Sequence, residues 1–194
     1  MQSRSPALGT RERIVVAASR LIRRQGYAGT GIKRIAQEAN ATLGSVYHFF
    51  PGGKEAVAVA ALAHGREEFA ALLRAALDGR TDPADAVDAC ARLLARELHA
   101  SDWTDGCPVT AAALETLGSD NAIRRACADA LYSWRNLVAD RLHDCGLPAP
   151  QARDLAATVV HTLTGAQATA QVTRSEEPLI LAGRHLARLV GSYA

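Results

Sequence analysis

The chain is predicted to be all-α, with about nine helices, because its apolar residues recur at i, i+3, i+4 and i+7 through nearly every periodic segment. Two further observations support that class. No stretch alternates apolar and polar residues for long enough to make a strand. Gly, Pro and Asn fall between the periodic segments, where they punctuate loops.

Taken in order, Thr10 to Gln25 carries a stripe of Ile14, Ala17, Ala18, Leu21 and Ile22, and Gly26 is placed to end it. Thr30 is placed to cap a short helix whose face is Ile32, Ile35, Ala36 and Ala39. Asn40 and Ala41 make a break, and Thr42 caps a second short helix running to Phe50. Pro51, Gly52 and Gly53 stop that helix, and Lys54 opens a long Ala- and Leu-rich segment to Leu77. After a break at Gly79 to Pro83, Ala84 to Ala100 carries Val87, Cys90, Leu94 and Leu98 on one side. Ser101 to Pro108 reads as a loop and Val109 to Leu117 as a helix. Three long segments complete the count, Asn121 to Cys145, Ala149 to Thr173 and Glu177 to Tyr193.

The 194 residues, 48% of them hydrophobic, exclude a chain disordered throughout and suit one large domain or a small and a medium one. No apolar run approaches the roughly 18 residues of a membrane span. The start, MQSRSPALGTRER, lacks the apolar core of a secretory leader. Cys90, Cys107, Cys127 and Cys145 include no CxxC pair, which excludes a zinc ribbon and a small disulfide scaffold. A reduced, cytoplasmic setting is expected, with no membrane partner.

Charge divides the chain. Residues 1–55 hold nine Lys and Arg against three Glu, a net +6, while the remainder holds thirteen basic and seventeen acidic residues, a net −4. A basic head on an acidic body points to a polyanion as partner of the head alone.

Within that head the run IVVAASRLIRRQGYAGTGIKRIAQEANATLGSVYHFFPGGKEAV resembles the DNA-binding domain of TetR-family transcriptional regulators. The resemblance is carried by Gly26-Tyr27, Thr30, Ile35-Ala36, Gly44, Tyr47, Phe50 and Lys54-Glu55 in their order and spacing. Two features depart from the family pattern: Phe49 stands where His is common, with His48 one place earlier, and the Pro51-Gly52-Gly53 turn is one residue longer. That turn, together with GCPVTAAALE at 106–115, is similar to the LmrA/YxaF-type branch. The resemblance implies a helix-turn-helix head over residues 1–55 and a helical ligand-binding and dimerisation body over 56–194. It also implies no enzymatic activity and no cofactor.

The physics of groove reading fits the same residues. A recognition helix needs small residues at its start, so that its backbone approaches base edges. Thr42, Leu43, Gly44 and Ser45 meet that need, since hydroxyls read several bases and a methyl contacts thymine. Tyr47 and His48 lie one turn on, where phosphates run, and Lys54, Lys33 and Thr30 stand at helix starts suited to anions. Plainer roles stay open: Thr30 and Thr42 as caps, Tyr47 as a core aromatic, Lys54 as a solvated lysine. Arg23 and Arg24 read as a solvated face.

The body holds no GxSxG, P-loop, dinucleotide fingerprint or HExxH. His99, Cys107, Cys127 and His161 offer metal-ligand chemistry, but isolated His and Cys in helices ordinarily pack, so no metal is expected. The family resemblance implies an effector cavity, for which Phe69, His99, Trp103, Cys107, Trp134, Thr164 and Gln167 are the candidates. Phe69 and Trp134 serve equally well as plain core. Small and apolar residues in the last two helices, Ala156, Val160, Gly165, Ala168, Leu186 and Leu189, suit a close homodimer interface. The expected function is a repressor that binds a palindromic operator as a homodimer and is released by a small apolar molecule. A ligand-independent DNA-binding regulator and a helical enzyme are the competing readings.

Overall fold

The computed structural model describes residues 8–118 and 121–193; Arg4, counted in the charge of the head, lies outside them. Among the described residues there are nine α-helices and no strand. They are α1 Thr10–Gln25, α2 Ile32–Glu38, α3 Leu43–Phe49, α4 Gly53–Leu77, α5 Pro83–Ala100, α6 Pro108–Glu115, α7 Ala122–Asp144, α8 Ala149–Thr173 and α9 Glu177–Gly191.

In the head, the α1 stripe Ile14, Ala17, Ala18, Leu21 and Ile22 is buried. The helix stops at Gly26, whose φ of 76° is a left-handed value that glycine adopts at no steric cost. Its N–H bonds the Ile22 carbonyl. Thr30 does not cap α2, because Gly31 holds the N-cap position without a side-chain bond. Thr30 is buried, and its hydroxyl donates to the Gly26 carbonyl at 2.6 Å, tying off the α1–α2 turn. Thr42 does cap α3, accepting from the Ser45 N–H at 3.0 Å. Arg13 locks α1 to the end of α2 through its Nε bond to the Ala39 carbonyl at 3.0 Å.

Other helix starts follow their sequence signals with small shifts. The long fourth helix begins at Gly53 rather than Lys54. Pro83 and Pro108, read as loop residues, are the first residues of α5 and α6, where a missing N–H costs nothing. Asp82 caps α5 by accepting from the Ala84 N–H at 2.8 Å. Helix α6 stops at Glu115, two residues early, where the Thr116 hydroxyl turns back to the Ala112 carbonyl. Helix α9 stops at Gly191 and not at Tyr193.

One apolar core runs from the head into the body. Helix α4 belongs to both, packing on α1, α5 and α7. Helices α5 and α9 pair most extensively, and α8 packs on both of them and on α7. Gly183 makes that pairing close, since a Cβ there would stand 2.6 Å from that of Ala91. Gly65 does the same for α6, where a Cβ would stand 2.6 Å from Pro108 Cγ. Trp134 fills the middle of the body, fully buried, its ring 4.3 Å from that of Phe69 and its Nε1–H donating to the Arg66 carbonyl.

The outward faces of α8 and α9 correct part of the interface assignment. Ala156, Val160 and Leu186 are buried inside the single chain, because each helix turns its more apolar stripe toward α5 and α7. Gly165, Ala168 and Leu189 are exposed, beside Val172 at 85% and Leu181 at 44%. Among the described residues no helix is long and apolar enough to cross a membrane.

Candidate nucleic-acid interface and an adjoining cavity

Helix α3 presents its side chains outward. Of its seven residues only Val46 is buried, and with Phe50 it pins the helix to the head's core. Thr42, Leu43, Gly44, Tyr47 and His48 are exposed, and Ser45 is partly so. A Cβ added at Gly44 would meet nothing but Thr42 Oγ1, at 3.7 Å. The fold therefore has room for a side chain at Gly44 and does not require the glycine. Its effect is a flat spot on the outer surface, where a second molecule can approach the backbone. Next to it the hydroxyls of Thr42 and Ser45 lie 2.9 Å apart on the surface.

The remaining candidates sit elsewhere in the head. Lys33 is exposed on α2. Lys54 turns toward the α1–α2 turn, with its Nζ 4.4 Å above the Tyr27 ring and donating to the Ala28 carbonyl at 3.3 Å. Thr30 lies inside the head and presents no hydroxyl to the surface. Arg20 and Arg34 share Glu38, at 3.5 and 3.9 Å.

Sequence reasoning missed the two arginines at the end of α1. Arg23 pairs with Glu68 of α4 at 2.6 Å, and Arg24 pairs with Asp105 of the α5–α6 loop at 2.6 Å. Both pairs cross from head to body, and the opposite net charges of the two units were the signal for them. Burial pushes the Asp105 carboxyl up, but the hydrogen bond and charge of Arg24 outweigh it and hold the group below its ordinary value. Glu115, the last residue of α6, adds a third link by accepting from the Ala28 N–H at 2.6 Å.

Behind the first two links lies a cavity of about 650 Å³ between α1, α4, α5, α8 and the α5–α6 loop. Its wall includes Phe69, Cys107 and Gln167 of the residues singled out from sequence. His99, Trp103, Trp134 and Thr164 do not line it. His99 and Trp103 stack on each other at the surface, with His99 bound to Glu176 at 2.8 Å. Trp134 is core behind Phe69, and the Thr164 hydroxyl donates to its own helix at the Val160 carbonyl. Gln167 Oε1 is buried without a hydrogen-bond partner, as is Arg23 Nε. Burial pushes the Cys107 thiol up, more than hydrogen bonding around Thr110 pulls it down. Among the described residues no three His, Cys, Asp or Glu side chains gather to hold a metal ion.

Comparison with known proteins decides the family. Residues 14–61 match the pattern described as bacterial regulatory proteins, tetR family. Residues 83–185 match the C-terminal domain of LmrA/YxaF-like transcriptional regulators. The chain belongs to the TetR family. It is 30% identical over 171 residues to the HTH-type transcriptional regulator LmrA of Bacillus subtilis, covering 88% of this chain and 91% of that one. It is 34% identical over 187 residues to an uncharacterized HTH-type regulator of Mycobacterium tuberculosis, covering 94% of each. Its fold superposes on the regulatory protein TetR from Rhodobacter sphaeroides with a TM-score of 0.81 at 23% identity, over 92% of this chain and 97% of that one. A TetR regulator from Chloroflexus aurantiacus gives 0.77 at 26% identity, over 94% of each chain. This TetR-family chain is thus a DNA-binding transcriptional regulator of the LmrA/YxaF-like branch, and α2 with α3 is its helix-turn-helix.

Proposed function

We propose that this regulator is a repressor, binding an inverted-repeat operator as a homodimer and releasing it when a small molecule enters the cavity behind Arg23. The observation that carries the reading is the position of that cavity. Its wall includes an arginine of the head's first helix, so whatever fills it acts on the joint between DNA reader and body. In this reading Thr42, Leu43, Gly44 and Ser45 face base edges, and Tyr47, His48, Lys33 and Lys54 face the phosphate backbone.

The homodimer is built from the exposed stripe Gly165, Ala168 and Val172 of α8 with Leu181 and Leu189 of α9. Small residues let backbones approach, and a two-fold partner places a second reading head one turn of DNA away. A ligand shifts the equilibrium only by the difference of its affinities for the DNA-competent and DNA-incompetent arrangements. The cytoplasm is the compartment where such a protein meets its operator.

The test is selection from a random duplex library, followed by a salt titration on the enriched sequence and sedimentation of the free protein. The reading expects an inverted repeat, a dimer mass and a log–log salt slope of about 0.9 per phosphate contact. Enrichment of no sequence, or binding as a monomer, overturns it.

A further inference from the structure

We propose that the molecule the cavity takes is a cation, an apolar drug-sized body carrying a protonated amine, and that its charge acts by competing with Arg23 for Glu68. The inference rests on reading the cavity as the effector site and adds the chemistry that site recognises.

The apolar body is set by the walls, where Phe69, Leu94 and Leu98 supply contact surface. The sign of the charge is set by the polar groups. Glu68, Glu97 and Asp105 line the cavity against a single guanidinium, that of Arg23. Asp105 is held by Arg24 at 2.6 Å, and Glu68 lies between Arg23 at 2.6 Å and His64 at 3.6 Å. Glu97 pairs with no cation among the described residues, so it carries the uncompensated negative charge of the wall. Gln167, only 7% exposed, lines the same cavity, and its acceptor oxygen is buried with no partner. A buried polar atom left unpaired is costly, and a ligand that satisfies it recovers that cost. An amide offers both a donor and an acceptor, and the surrounding carboxylates favour a guest that donates. An ammonium group supplies N–H donors for Gln167 Oε1 and positive charge for Glu97 and Glu68 at once.

The competition with Arg23 follows from geometry. The Arg23–Glu68 pair is at once part of the cavity wall and a tie between α1 and α4. A second cation beside Glu68 weakens the hold of the carboxylate on Arg23. A neutral guest of equal shape fills the space and leaves the tie intact.

Four probes built on a ten-carbon chain separate these terms: decylammonium, decyltrimethylammonium, decanol and decanoate. Binding is read by quenching of Trp134, which packs on Phe69, in a Trp103→Phe background. Operator affinity is read in the same samples. Decylammonium is expected to bind about tenfold tighter than decanol, with decyltrimethylammonium between them and decanoate weakest. Only the two cations should loosen the operator. Gln167→Leu should bring decylammonium and decyltrimethylammonium to nearly equal affinity. If that variant loses its cooperative melt, the exposed Glu97→Gln change should reduce the preference for both cations over decanol instead. Decanoate binding as well as decylammonium, no binding by any probe, or a charge preference unmoved by these changes overturns the inference. If the probe-free protein holds its inverted repeat, such a failure removes this inference alone. If it does not, the repressor reading itself has failed.

Discussion

The helix-turn-helix and the parts of the molecule behind it treat their polar groups differently. In the head, Arg13 is bonded to the Ala39 carbonyl, the Thr30 hydroxyl to the Gly26 carbonyl, and Thr42 to the Ser45 N–H. No buried side-chain atom from Thr30 to Phe50 lacks a partner among the described residues. Behind that segment, Ser19 Oγ and Arg23 Nε of α1 and Gln167 Oε1 of the body stand unpaired. Under the proposed function, the difference separates a reading segment that is ordered before its partner arrives from a cavity that a guest completes. A groove reader loses affinity for every side chain and loop it must order on binding.

The largest effect that sharpens this contrast is in the body. Trp134→Ala should lower stability by about 3–5 kcal/mol in denaturant unfolding, through lost burial, the cavity left behind and an orphaned Arg66 carbonyl. A loss under about 1 kcal/mol would mean the body is loosely packed there. The counterpart in the head is Gly44→Ala. It should weaken operator binding about a hundredfold by holding the backbone off base edges, the value of one good base contact or more. Its melting temperature should stay level or rise, because the added Cβ meets only Thr42 Oγ1 and alanine favours a helix. Equal losses of stability and binding would break the distinction between reading surface and packing surface.

An intermediate effect comes from pH. Burial pushes the Cys90 thiol up to about 12, against the opposing pull of Arg80. The unfolded thiol ionises from about pH 8.5, so the stability tied to the neutral buried form is complete at neutral pH and is lost as pH rises toward 12. At pH 10 the loss from this residue is about 2 kcal/mol. Cys90→Ala should make the alkaline limb of a melting-temperature profile shallower, and an unchanged limb would refute a buried neutral thiol. The smallest effect is Thr42→Ala, expected to cost about 1 kcal/mol by thermal unfolding through loss of the α3 cap.

Much of the fold was legible because helix period and punctuation are local signals. The α1 stripe, the Gly26 stop, the Thr42 cap and the buried pair Val46 and Phe50 were all readable in short windows. The exposure of Tyr47 and His48 followed from the same window. The cavity was not readable that way. Scarce aromatics mark a pocket poorly, since the largest of them, Trp134, pays best when wholly buried in the core. What lines the space comes from α1, α4, α5, α8 and one loop, whose meeting depends on packing across nearly 150 residues, from Arg23 to Gln167. Helix period also could not say which side of α8 faces inward. Both sides carry small residues, and Ala156 and Val160 went to the core while Gly165 and Ala168 went outside.

Helix α4 carries a consequence in angles. It runs 25 residues without interruption from the reading head to the far end of the body. At 1.5 Å per residue that is an arm of about 37 Å, so a tilt of about 5° about its far end swings its first turn by about 3 Å. One base-pair step along DNA is about 3.4 Å. A tilt of a few degrees is therefore enough to move the reading helix by nearly one base pair.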